Sequence, residues 1–356
     1  PSLKWETQIS TDIALEFGLF DRLTGTIEYF KKDSKDLLFD VSQPASVGVT
    51  SIIQNIGKVT NSGVEIELDY NAFKNKDWSV SVGANATFVK NKIKNLPATM
   101  KENGYISGSK KWLEGKSIYE FWLRQWHGVD PQTGDGLYVA DVSKYNQGNI
   151  GTGDGNITQS QFDEYKKTVV TIDGKELTNS YTYAKYDFSG SSIPDVYGGF
   201  NVRVSYKNFD LAAVFSYQLG GQILDTNYAT MMSMTEFGYA QSPDLLKAWK
   251  QAGDITEVPR IDNSAAHTTN IGQSYSTRWL TSSDYLNLRS VTIGYQLPKT
   301  WLSKVMLKSA RLNLTAENLF MLKARQGLNP MANYSGVTYN EYMPSRNITL
   351  GLNVSF

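Results

Sequence analysis

The sequence runs out through Asn347-Ile348-Thr349-Leu350-Gly351-Leu352-Asn353-Val354-Ser355-Phe356, and every second residue of it is apolar. Ile348, Leu350, Leu352, Val354 and Phe356 share one parity, and Thr349, Gly351, Asn353 and Ser355 share the other. A period of two describes a β-strand with one apolar face and one small, uncharged polar face. A soluble sandwich turns such an apolar face into its core. A membrane barrel turns it toward lipid and turns the polar face toward a lumen. Alternation alone does not choose between them.

The same pattern recurs in pairs. Ile13 to Leu19 and Leu23 to Tyr29 alternate around the turn Phe20-Asp21-Arg22, and Leu37, Phe39 and Val41 continue the parity of the return strand. Val64 to Ala72 and Trp78 to Phe88 flank Lys74-Asn75-Lys76-Asp77. Phe200 to Tyr206 and Phe209 to Leu219 flank Lys207-Asn208. Residues 284–297 change parity near Arg289-Ser290, which predicts a β-bulge. Ala310 to Ala316 alternates again. With weaker strands at 117–128 and 136–142, the chain reads as about eleven strands, several of them nearer the ~9–11 residues of a tilted membrane strand than the ~5–6 of soluble sheets. One helix is predicted from Ser242 as N-cap and Pro243 at the first helical position to a stop at Gly253.

The links sort by length. Those at 20–22, 74–77, 130–134, 207–208 and 298–308 are short or modest; those at 42–56, 96–116, 143–193, 222–283 and 323–344 are long. A barrel with short inner turns and long outer loops gives this alternation, and a sandwich has no reason for it. Phe17, Phe20, Tyr70, Phe73, Trp78, Tyr206, Phe209, Tyr295, Trp301 and Phe356 cluster beside the short links, as an interfacial girdle would. No apolar run is long enough for a transmembrane helix. The expected fold is all-β, an antiparallel transmembrane β-barrel. An odd strand count is at variance with a complete bacterial barrel, so a fragment is expected.

Composition removes several functions. There is no cysteine, so disulfides, thiol nucleophiles and thiolate metal sites are excluded. Lys+Arg and Asp+Glu are both 35, which gives no reason to expect nucleic acid as a partner. His127 and His267 stand far apart, Gly153-Asp154-Gly155-Asn156-Ile157-Thr158 lacks the flanking ligands of a calcium loop, and no Ser-His-acid spacing is discernible. No metal, cofactor or enzymatic activity is expected.

Several stretches resemble one family in its order: Leu3-Lys4-Trp5-Glu6, Gly18 to Gly25, Asn55 to Glu65, Tyr217-Gln218-Leu219-Gly220-Gly221, Val258-Pro259-Arg260, Tyr285 to Tyr295, Ala316-Glu317-Asn318-Leu319-Phe320, and Pro344-Ser345-Arg346 to Phe356. Together they are similar to the SusC/RagA-like TonB-linked transporters of the Gram-negative outer membrane. The resemblance implies that residues 1–356 are the C-terminal half of a plugged barrel of about 22 strands, with the plug and TonB box absent from this sequence. It implies import of oligosaccharides or oligopeptides, energised by TonB and capped by a SusD-like surface lipoprotein, in a wall that touches outer-membrane lipid. A surface adhesin or passive barrel with partner-binding loops is the alternative.

Candidate substrate-binding residues are Tyr105, Trp112, Tyr119, Trp122 and Trp126, an aromatic-rich stretch suited to stacking on sugar rings or peptide side chains. Arg203, Arg289 and Arg311 fall on or beside the polar strand faces, where they would hold a peptide carboxylate or pair with inward Glu and Asp.

Overall fold

The computed structural model describes residues 3–42, 48, 51–153, 155–233, 238, 240–262, 264–272, 275–302 and 307–356. The strongest alternating segments join one antiparallel wall. Its strands are β1 (Thr7–Leu19), β2 (Leu23–Ser42), β3 (Ser51–Lys74), β4 (Trp78–Asn95), β5 (Val196–Tyr206), β6 (Phe209–Leu219), β7 (Tyr285–Gln296), β8 (Ser309–Glu317) and β9 (Asn347–Ser355), paired in that order. A short strand, Met321–Lys323, also pairs with β7. Among the described residues β1 and β9 are the two edges and do not meet. An open edge leaves N–H and C=O groups that hydrocarbon cannot satisfy, so this wall is part of a barrel that other strands close.

Register puts the two faces where the alternation predicts. Tyr29, Val64 and Phe88 stand directly opposite one another, as do Ile27, Ile66 and Ala86. The apolar face stays exposed: Leu350 is 74% accessible, Ile13 66% and Leu352 61%. A soluble fold does not leave so continuous an apolar surface uncovered. No helix among the described residues is long and apolar enough to cross a membrane.

The short links behave as expected. Phe20 and Asp21 both have left-handed φ values, 55° and 52°, which suits the twist of a tight hairpin. Trp78 packs on Tyr206 at 4.3 Å and Phe209 on Tyr295 at 4.4 Å, pairing girdle aromatics across neighbouring strands. The expected bulge is present: Val214 faces Ser290 and Phe215 faces Leu288, leaving Arg289 as the extra residue.

Several expectations need correction. Residues 117–128 and 136–142 do not join the wall. They form the short strands Glu120–Arg124, Trp126–Val129 and Gly136–Val139 in two small sheets, so the wall has nine consecutive strands where about eleven were counted. The turn at 130–134 therefore belongs to this outer region. The 42–56 loop is shorter than expected, because β3 already begins at Ser51; Pro44 lies outside the described residues. The helix expected to reach Gly253 is a single 3-10 turn, Pro243–Lys247, with Ser242 capping Asp244. A longer helix appears instead in the polar stretch. It is α1 (Gln159–Thr168), closed by a capping box between Thr158 and Gln161. Asp154, from the glycine-rich turn before it, is not among the described residues.

The long loops are thus not plain loops. They fold into a head with its own cores. Phe121, Leu123 and Leu224 are fully buried beside Trp279 and Val337, and a second cluster holds Tyr145, Ile157 and Tyr165. Each such large side chain contributes roughly 1.5–3 kcal/mol by leaving water.

Candidate binding surface

The polar face of the wall carries charges of both signs, with a run of carboxylates on its first three strands and further carboxylates at Asp210 and Glu317. Glu16, Glu28, Glu65, Glu67 and Asp69 lie on β1–β3, with Glu28 opposite Glu65 and Thr26 opposite both Glu16 and Glu67. Glu16, Glu67 and Asp69 line a cavity of about 550 Å³ with Thr24 and Thr26. The arginines lie on β5–β8. Arg203 is exposed opposite Ser81 and Ala212. Arg289 is exposed at the bulge of β7. Arg311 reaches across β7 to Asp210, Nη2 to Oδ2 at 2.6 Å, and its Nε donates to Asn313 Oδ1 at 2.7 Å. Of the two roles weighed for Arg311, it holds a carboxylate of the wall itself.

The five aromatic candidates all sit in the head, in four separate packings. Tyr105 and Trp112 meet across two short strands with ring centroids 5.4 Å apart. Trp112 also meets Phe39 of β2 edge-on at 5.9 Å and closes a small core of Ile93, Leu96 and Met100, which ties head to wall. Tyr119 is edge-on to Tyr334 at 5.2 Å. Trp126 packs against buried Tyr138 at 5.1 Å, with Arg278 over its ring at 4.7 Å. Trp122 is half-buried, 4.9 Å from Phe188 and 6.2 Å from Tyr186, with Lys111 Nζ 4.0 Å above its ring.

Trp122 therefore belongs to a ladder in which cations and rings alternate. Arg124 lies between Tyr181 and Tyr186 at 4.9 and 4.7 Å, and Lys116 lies 4.7 Å over Phe188. Sequence reading missed Arg124, Tyr186 and Phe188. Their signal is the short alternation Tyr186-Asp187-Phe188, too brief to stand out in a polar stretch. Beneath the ladder, Lys110 is buried with Nζ 3.1 Å from the Phe121 ring and donating to the Tyr119 carbonyl at 2.8 Å. Burial pulls its ammonium down to about 7, against the opposing charge of Glu120.

The final long loop is fastened to the same head. Asp225, buried, caps α2 (Thr226–Met231) through Tyr228 N, accepts from Thr338 Oγ1 at 3.2 Å, and pairs with Arg325. Arg325 in turn stacks 3.5 Å over Tyr228, whose hydroxyl donates to Asp244 at 2.8 Å. Burial pushes the Tyr228 phenol up to about 12, with the hydrogen bond to Asp244 adding to it. These contacts fasten the polar loops to one another at the outer end of the wall.

Comparison with known proteins agrees with this architecture. The family model described as TonB dependent receptor-like, beta-barrel matches residues 1–319. TonB-dependent receptor P3 of Formosa agariphila is 29% identical over 374 residues, covering 100% of this chain and 34% of that protein. TonB-dependent receptor SusC of Bacteroides thetaiotaomicron is 24% identical, with 100% and 32% covered. Among solved structures, the RagAB peptide importer in its closed-closed state superposes with a TM-score of 0.77 at 26% identity, covering 99% of this chain and 36% of that one. The chain spans about a third of the length of the relatives it matches.

Proposed function

Because this chain belongs to the TonB-dependent receptor-like β-barrel family, we propose that it supplies wall and outer loops to an energised importer in the outer membrane of a Gram-negative bacterium. In this reading it is the C-terminal part of the barrel, and the longer protein carries the plug and the TonB box. The cargo is an oligosaccharide or oligopeptide, and a SusD-like surface lipoprotein closes over the head. No chemistry on the cargo is required.

The observation that carries the reading is a wall with an exposed apolar face, a charged inner face and a folded head on its outer end. Carboxylates on β1–β3 together with the exposed Arg203 and Arg289 offer partners to both charges of a cargo, which favours an oligopeptide. The similarity to a peptide importer supports the same choice. The test uses the full-length transporter with its lipoprotein in cells. Uptake of labelled oligopeptides is expected to stop when the proton gradient is collapsed. Arg203→Gln/Arg289→Gln is expected to weaken peptide binding about tenfold or more, at roughly 1 kcal/mol per lost charge-assisted contact. Uptake that persists without energy favours a passive pore, and an undiminished double variant removes the arginines from the cargo site.

A further inference from the structure

The outward surface of the wall changes character at one row. β4 runs on past its last pairing with β5, Thr87 opposite Tyr197. On the apolar parity, Phe88 is followed by Lys90 and Lys92, both exposed. On the other parity, Asn91 and Ile93 are buried under the head, where Asn91 Oδ1 accepts from Ser117 Oγ at 3.0 Å and from Ile118 N at 2.9 Å. The head therefore covers the inner face, and the two lysines point to the outside. Neither has a carboxylate within ion-pair distance among the described residues.

A cavity of about 890 Å³ opens there. It is lined by Tyr29 of β2, by Phe88, after which the outward parity of β4 carries only lysines, and by Lys90, Lys92 and Lys116. Glu120 and Asp195 also line it, leaving one net positive charge. Lys116 leads on to Phe188 and Trp122, the start of the ladder of rings and cations. Apolar belt, lysines and sugar-sized aromatic faces follow one another in that order.

We propose that this surface binds a phosphorylated glycolipid of the surrounding leaflet. Acyl chains lie against Tyr29 and Phe88, the phosphate rests between Lys90, Lys92 and Lys116, and the saccharide leans on Phe188 and Trp122. The order of chemistries along the wall matches the order along such a lipid from tail to sugar. The inference rests on the outer-membrane reading above, and the two are separable. Insertion of the full-length protein into neutral phosphatidylcholine vesicles, followed by its heat-dependent gel shift, tests the membrane reading alone.

The site is tested with the full-length protein in neutral detergent, titrated with a short-chain phosphorylated glycolipid and with its dephosphorylated form. Lys90→Gln/Lys92→Gln is expected to weaken binding of the phosphorylated form about thirtyfold, at roughly 1 kcal/mol per lysine, and Lys74→Gln/Lys76→Gln on the opposite rim is expected to leave it unchanged. Equal affinity for the two lipid forms, or an unchanged Lys90→Gln/Lys92→Gln variant, overturns the proposal. Full competition by millimolar inorganic phosphate also overturns it, because a free anion would then be the ligand.

Discussion

A Cβ on Gly294 would overlap Nη2 of Arg311 and lie 2.7 Å from Oδ1 of Asp210. The ion pair that spans β6 to β8 crosses β7 only because that position is bare. Gly83 does the same for Asp69 and Asn201, whose side-chain ends would lie 2.6 Å from an added Cβ. Gly294→Val is therefore expected to lower the unfolding free energy by about 1–3 kcal/mol, the range for forcing methyl groups into filled space. Urea unfolding of the lipid-inserted protein measures it. Gly294→Val/Arg311→Ala should recover part of the loss, and a single variant as stable as the parent would show that the crossing adapts freely. The alternation in the sequence places Gly294 on the polar parity. It does not say that a long side chain of the neighbouring strand, two residues out of register, will lie across it, because that depends on which strands pair.

At the scale of elements, the last loop is fastened beside α2 by a backbone bond between Leu224 and Thr338, by Thr338 itself, whose Oγ1 accepts from Asn227 N at 3.2 Å, and by one buried carboxylate. Asp225→Ala leaves Arg325 half-buried without its counter-charge and uncaps α2, and is expected to destabilise the head by about 3–5 kcal/mol. Asp225→Ala/Arg325→Met should cost clearly less. Protease cleavage within 324–342 reads the release of the loop, and equal cleavage of parent and Asp225→Ala would discard the clamp. Element boundaries were legible where the local signal was also the winning one. The segment after Ser242 had a cap and a proline and still stopped at Lys247. Trp249 N donates to Val258 O at 3.0 Å, and the Trp249 ring nitrogen donates to Pro131 O at 3.0 Å. Tertiary partners took the backbone N–H that a continuing helix would have used and held the Trp249 ring away from the turn. Conversely, Thr158 and Gln161 announced α1 with a capping box, but the polar composition around them hid it.

For the whole molecule, the decisive property is a wall with two unlike faces. Lysine at Leu352 puts a charge on the exposed apolar face, and lysine at Asn353 puts it on the polar one. Leu352→Lys is expected to cost up to about 2–4 kcal/mol of folding into vesicles, and Asn353→Lys close to nothing. Equal costs would mean that neither face meets lipid. The wall was legible in the sequence because every strand repeats one rule over many residues. The head was not, because its strands are short and its core unites residues as distant as Phe121, Leu224 and Val337. No window of sequence contains that core.

One irregularity in β2 shows how the two regions share a strand. Leu23 to Val41 keeps a single parity in the sequence, yet Tyr29 belongs to the outer face while Phe39 packs inward with Trp112 and Ile93. Between them Asp36 takes a left-handed φ of 57°, where the register with β3 shifts. The strand behaves like a printed line whose phase slips by half a period at one letter. On the shared parity, Ile27 and Tyr29 before the slip face outward, and Phe39 after it faces the head. Removing that single residue would leave the composition almost untouched while turning the distal message inside out, so the orientation of the strand tip is held as a switch of one residue.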